Sequence, residues 1–298
     1  MSELAFATID ELSTAIETRA LSPVELLADV ERRLGALEPT LNMFAHLDLE
    51  GARRDAADAE ARQMRGERRS ALDGIPTSIK DLIAQKDLPQ RFGSKATPEA
   101  PVAVDAPSVA RLRAAGAVLL GKSTTSEFGC KAVGDSPLTG VTRNPWNLET
   151  TPGGSSCGAA AMVAAGLTPY AIGTDGGGSV RIPAALTGLF GVKAQFGRVP
   201  VYPVSATPTL AHVGPLSRTV ADGARALAAI SGYDRRDPFA VAGPAPDYAA
   251  AAWDGRPLRI AYSPTLGYAR TDPEVLALTQ AAAERAAALG HAVEVFLM

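Results

Sequence analysis

A chain of 298 residues, 46% hydrophobic and 20% charged, is composed like an ordinary globular enzyme and can bury a sizeable core. Lys and Arg total 29 against 32 Asp and Glu, a net charge of -3, which leaves no broad basic surface for a phosphate backbone; nucleic acid is not expected as a direct ligand. The two cysteines, Cys130 and Cys157, are too few for a disulfide framework and lack the paired spacing of a zinc site, so no metal is expected and a reducing compartment fits. The opening MSELAFATIDEL has no basic segment followed by an apolar stretch, and no run approaches a membrane span, which predicts a soluble cytoplasmic protein without membrane contact.

Residues 1–66 read as a helical arm. Thr8 followed by Glu11, and Ser22-Pro23 followed by Glu25, are capping boxes that open apolar-periodic runs. Between Asp48 and Arg69 charge dominates, as on a solvated helix face. From Ile75 the short apolar runs IPTSI, AVLL and LTPYAIG alternate with the helical patterns SVARLRAAG and AAAMVAAG, which predicts strands covered by helices. Gly and Ser cluster at Pro152–Gly158 (PGGSSCG) and at Thr174–Ser179 (TDGGGS), so residues 67–232 form the core that carries the candidate site. Residues 233–298 pass through Pro- and Asp-containing turns, a strand at Leu258–Tyr262, a helix from Pro273 and a last apolar strand, HAVEVFLM, on which the chain stops. One domain over 1–298 is the expectation, with that closing strand buried.

Three motifs compete for the chemistry. GAVLLGKS (Gly116–Ser123) has the spelling of a phosphate-binding loop, but its four middle residues are Ala-Val-Leu-Leu and the preceding residues are helical; it reads better as a strand ending in a turn that bears Lys122. GSSCG (Gly154–Gly158) has the spelling of a nucleophile elbow with Ser156 as nucleophile. An elbow needs an apolar strand before it, whereas Asn147–Pro152 is polar, and only His212 and His291 follow as candidate bases. Ser155 and Ser156 are equally suited to cap the Ala-rich helix behind them.

The third constellation joins GIPTSIKD (Gly74–Asp81), PGGSSCG and GTDGGGSVRIP (Gly173–Pro183). Together with the SPVELL helix, RNPWN, GLFGVKAQFGRVP and HVGPLSRTVAD, these segments resemble the amidase signature family, and Ser179 lies 24 residues after Ser155, as the family pattern asks. The resemblance implies an α/β/α sandwich around a mixed twisted β-sheet. It departs at Cys157, where the family usually has Gly, and the chain ends short of the family's usual extent, so a C-terminal truncation is expected.

By that resemblance Ser179 is the nucleophile, Ser155 relays its proton and Lys80 is the base, forming an acyl-enzyme from a small-molecule amide without cofactor or metal. The base role requires a neutral Lys80, which burial at the end of an apolar strand would favour; Asp81, the next residue, points to the opposite face. Gly176, Gly177 and Gly178 with Ser179 are the expected oxyanion hole. Asp175 and Arg181 hold the turn, with Gly154 and Ser156 as further supports, and the resemblance implies a cis peptide after Gly154. The rivals are an amidotransferase A subunit, which releases ammonia from glutamine for tRNA-bound substrates within a complex, and a catalytically silent fragment. The stretch EFGCKAVGDSPLTG is unlike its usual counterpart in those amidotransferases. The identity of the amide is not legible, and a homo-oligomer is left open.

Overall fold

In the computed structural model, residues 4–296 are described; Leu297 and Met298 of the HAVEVFLM strand and the first three residues lie outside them. The chain divides into two compact units, 1–252 and 253–298. The first opens with helices α1 (Ile9–Glu17) and α2 (Pro23–Leu41), strand β1 (Phe44–Leu47) and helix α3 (Leu49–Arg65). Both capping boxes form: Thr8 and Ser22 accept from the amides of Glu11 and Glu25, whose carboxylates reach back. The arm is therefore not wholly helical. Phe44–Leu47 pairs antiparallel with a later strand, an arrangement that depends on a distant partner and leaves no trace in local periodicity.

The sequence continues through β2 (Pro76–Lys80), α4 (Pro107–Ala115), β3 (Val118–Ser123), the two-residue strands β4 (Asp135–Ser136) and β5 (Gly140–Val141), α5 (Cys157–Ala164), β6 (Tyr170–Thr174), α6 (Arg181–Thr187), β7 (Phe190–Gly191), β8 (Val213–Ser217), α7 (Val220–Ile230) and α8 (Tyr248–Ala251). Six of these strands form one sheet in the order β1-β3-β2-β6-β8-β7. Its centre, β3-β2-β6, is parallel, and its flanks pair antiparallel, so the sheet is mixed.

Alternation along the strands explains the layers. Leu119, Tyr170 and Ile172 join a core with Ile9, Leu12 and Ile16 of α1, Leu112 of α4 and Leu227 of α7. Val118, Leu120 and Ala171 project to the other side and pack with Leu27 and Val30 of α2, Ala56 of α3 and Ala160 of α5. The result is an α/β/α sandwich with two apolar layers around one sheet, and strands buried on both faces read as continuous apolar runs. GAVLLGKS is strand β3 in this architecture. Lys122 is not in a turn, however: it lies inside the strand and is fully buried.

The second unit holds β9 (Arg259–Tyr262), α9 (Pro273–Ala288) and β10 (Ala292–Val295), with β9 and β10 parallel. The closing strand is not buried: Val295 is 65% exposed. No helix among the described residues is long and apolar enough to cross a membrane.

Candidate active site

The three segments meet at the C-terminal end of the parallel strands. Lys80 is the last residue of β2 and has no solvent exposure. Its Nζ lies 2.6 Å from Ser155 Oγ and 2.9 Å from Thr174 Oγ1. Burial lowers its pKa to about 7, against the opposing pull of Cys157 and Asp175. A drop of this size from the ordinary value of 10.5 corresponds to about 5 kcal/mol of differential interaction between the charged and neutral amine. Asp81 is turned away from this amine. It accepts the amides of Arg91 and Gly93 and faces the ammonium of Lys122 at 3.8 Å, which is also bonded to the Ile83 carbonyl.

The Gly154–Ser155 peptide is cis. Ser155 precedes α5, and neither serine caps that helix with its side chain. Ser156 Oγ instead spans the backbone of β6, donating to Thr174 O and accepting from Thr174 N, each at 3.3 Å. Gly173 allows this approach, since a Cβ there would sit 2.6 Å from Ser156 Oγ. The Ser156 amide donates to Ser179 O at 3.2 Å, which links the two serine-bearing segments through the backbone. Cys157, buried as the first residue of α5, places its thiol 3.5 Å from Thr124 Oγ1.

The glycine turn is organised by Asp175. Its carboxylate accepts the amides of Gly178 (2.7 Å), Val180 (3.2 Å) and Arg181 (3.3 Å), and the Arg181 guanidinium grips both oxygens at 2.9 Å. Desolvation would raise this carboxyl, but the Arg181 side chain and the three amides outweigh it and hold the pKa at about 2. One of the three glycines expected to form an oxyanion hole, Gly178, is engaged in this network. Gly178, at φ +121, has turned its N–H onto Asp175 and is a member of the scaffold. Among the described residues the amides of Gly176, Gly177 and Ser179 have no partner in the protein.

The geometry brings Lys80, Ser155 and Asp175 to one locus, with the Ser179 backbone tied to Ser156. Sequence reasoning missed Thr174, although it stands directly before Asp175 at the head of TDGGGS. It also missed the Lys122–Asp81 pair and the contact of His212 with Asp175, which no local spacing announces.

The site thus sets a buried lysine amine against a serine hydroxyl beside a glycine turn. Residues 25–298 match the sequence model of the Amidase family, and the chain belongs to the amidase signature family. It is 40% identical over 277 residues to an acylamidase of Rhodococcus erythropolis, covering 92% of this chain and 58% of that protein. It is 42% identical over 286 residues to the A subunit of the glutamyl-tRNA(Gln) amidotransferase of Roseiflexus castenholzii, covering 95% of this chain and 58% of that protein. The crystal structure of a bacterial aryl acylamidase of the amidase signature family superposes with a TM-score of 0.91 at 33% identity, over 99% of this chain and 62% of that one. The chain thus spans about three fifths of the length of these relatives.

Proposed function

We propose that this protein hydrolyses a carboxylic amide to the acid and ammonia or an amine, through an acyl-enzyme on Ser179. The observation that carries the reading is the buried Lys80 amine 2.6 Å from Ser155 Oγ. In its neutral form the amine donates one N–H to Thr174 Oγ1, which leaves its lone pair for the Ser155 proton. Ser155 then takes the Ser179 proton as Ser179 Oγ attacks the carbonyl carbon. The oxyanion that forms faces the free amides of the turn, Gly176, Gly177 and Ser179. Return of the proton from Lys80 through Ser155 to the departing nitrogen breaks the C–N bond, and water releases the acid by the same route.

Residues 67–232 carry this chemistry and 1–66 serve as a packing arm. The two cysteines are unpaired, which suits a cytoplasmic protein. The 42% identity to amidotransferase A subunits supports a second reading, release of ammonia from glutamine within a complex. A free amidase turns over simple aryl or aliphatic amides alone, and such a subunit does so feebly without its partners.

Labelling with a fluorophosphonate followed by peptide mapping tests the mechanism. The adduct is expected on Ser179. An adduct on Ser156 would overturn the assignment, and no adduct on a demonstrably folded chain would make this a silent fragment.

A further inference from the structure

His212, one of the two histidines that could serve a nucleophile elbow at Ser156, has its hydrogen-bonding partners at the head of the glycine turn. The β6–β8 ladder pairs Thr174 with Val213 and continues one step, with Asp175 N donating to His212 O at 2.9 Å and His212 N donating to Asp175 O at 3.1 Å. The imidazole adds to this. Its Nδ1 lies 3.1 Å from Asp175 O and 2.8 Å from Leu210 O. Carbonyl oxygens only accept, so the proton sits on Nδ1. On the other side of the ring Nε2 is 3.4 Å from Lys193 Nζ, an ammonium with only protons to offer. Both sides therefore specify the neutral Nδ1–H tautomer, and Phe196 packs edge-on against the ring at 5.6 Å.

The consequence lies in one peptide plane. The Asp175 carbonyl and the Gly176 N–H belong to the same planar trans unit and point in opposite directions. The His212 amide and the Nδ1–H, which is shared with Leu210 O, both hold the Asp175 carbonyl and so fix the direction of the Gly176 N–H, which has no partner in the protein among the described residues.

We infer that His212 is a positioning residue for the reaction: its imidazole, held in one tautomer by Lys193, locks the Asp175–Gly176 peptide so that the Gly176 amide points at the developing oxyanion. The inference rests on the reading of Ser179 as nucleophile. His212 touches no reacting atom. Asp175 cannot supply the lock itself, because its carboxylate is spent on Arg181 and on the amides of Gly178, Val180 and Arg181.

The test compares His212→Leu, which removes the donor, with His212→Asn, whose side-chain amide can take the place of Nδ1–H. In His212→Leu the rate of Ser179 labelling and kcat fall by about tenfold or more, with KM changed by less than about threefold. His212→Asn recovers to within about threefold of the parent, and Lys193→Met falls between the two. Thermal melts separate misfolding from mispositioning. Nitrogen-15 NMR of the unaltered chain supplies a readout that needs no variant, with pyrrole-type Nδ1 and pyridine-type Nε2 expected for His212. Equal rates in the Leu and Asn variants, or an Nε2–H tautomer in the parent, would overturn the inference. If the parent is not labelled on Ser179, the underlying amidase reading fails instead, and the tautomer still decides whether the lock exists.

Discussion

Asp175 Oδ1 accepts the Gly178 amide at 2.7 Å, and this one bond sets Gly178 apart from the two glycines before it. Gly178, Val180 and Arg181 spend their N–H groups on the carboxylate, and those of Gly176, Gly177 and Ser179 have no partner among the described residues.

That division predicts an asymmetry between Asp175 and Arg181. The Arg181 side chain is 50% exposed, so its ion pair is solvent-screened and Arg181→Met is expected to cost no more than about 1 kcal/mol. Asp175→Asn leaves buried amides without an acceptor and is expected to cost about 2–3 kcal/mol, with a rate loss of roughly a hundredfold. Urea denaturation near neutral pH checks the order. A carboxyl held at about 2 contributes stability that is fully present above its ordinary value of 3.8 and is lost as pH falls through 2, so the difference between Asp175→Asn and the parent closes only in strong acid.

Lys80 sets the pH profile. In the proposed mechanism its neutral form is the base, and with a pKa near 7 the rate of Ser179 labelling is expected to rise with pH through about 7 and then level. Lys80→Ala and Ser179→Ala each lower turnover by more than about a thousandfold with the fold intact. Lys80→Arg is equally inactive, because a guanidinium stays protonated across that range. Activity above a tenth of the parent in any of the three counts against the proton path.

Lys122 offers the complementary case. It is as buried as Lys80, but its partners are Asp81 and the Ile83 carbonyl, and burial pulls its pKa down. Lys122→Met leaves the Asp81 carboxylate buried and unpaired, at a cost of about 3–5 kcal/mol, while turnover of the surviving folded protein is retained. The double variant Asp81→Asn with Lys122→Met should recover part of that loss. Calorimetry of the parent with magnesium and ATP should show no saturable binding, since this lysine is enclosed within a sheet. Saturable binding lost in Lys122→Met would restore the phosphate-loop reading.

Ser156 offers a contrast with the proposed nucleophile. Its Oγ bridges Thr174 N and O, so Ser156→Ala is expected to lower stability by about 1 kcal/mol and the rate by several-fold. The fluorophosphonate adduct should stay on Ser179, as mass mapping of the labelled variant would show.

The capping boxes at Thr8 and Ser22, the strands at 76–80 and 118–123 and the helix behind Ser156 are legible in the sequence, because caps, apolar runs and glycine clusters act over a few residues. Strand β1 is not: Phe44–Leu47 becomes a strand only by pairing with residues 121–123, far along the chain. Nor is the role of Ser156, which looks like a helix cap and is a clamp on β6.

Local sequence specifies which segments form the candidate site and which residue types they bring: a lysine at a strand end, paired serines and a glycine turn flanked by Asp175 and Arg181. What each of them can do depends on the packed fold. Two lysines on neighbouring strands are spelled alike, yet only Lys80 meets a serine hydroxyl from 75 residues away, whereas Lys122 meets a carboxylate. Three adjacent glycines are indistinguishable as letters, yet Asp175 occupies the amide of one and leaves the other two without a partner among the described residues. Burial and hydrogen-bond partnership are set by what folds against a residue, and those neighbours come from distant parts of the chain.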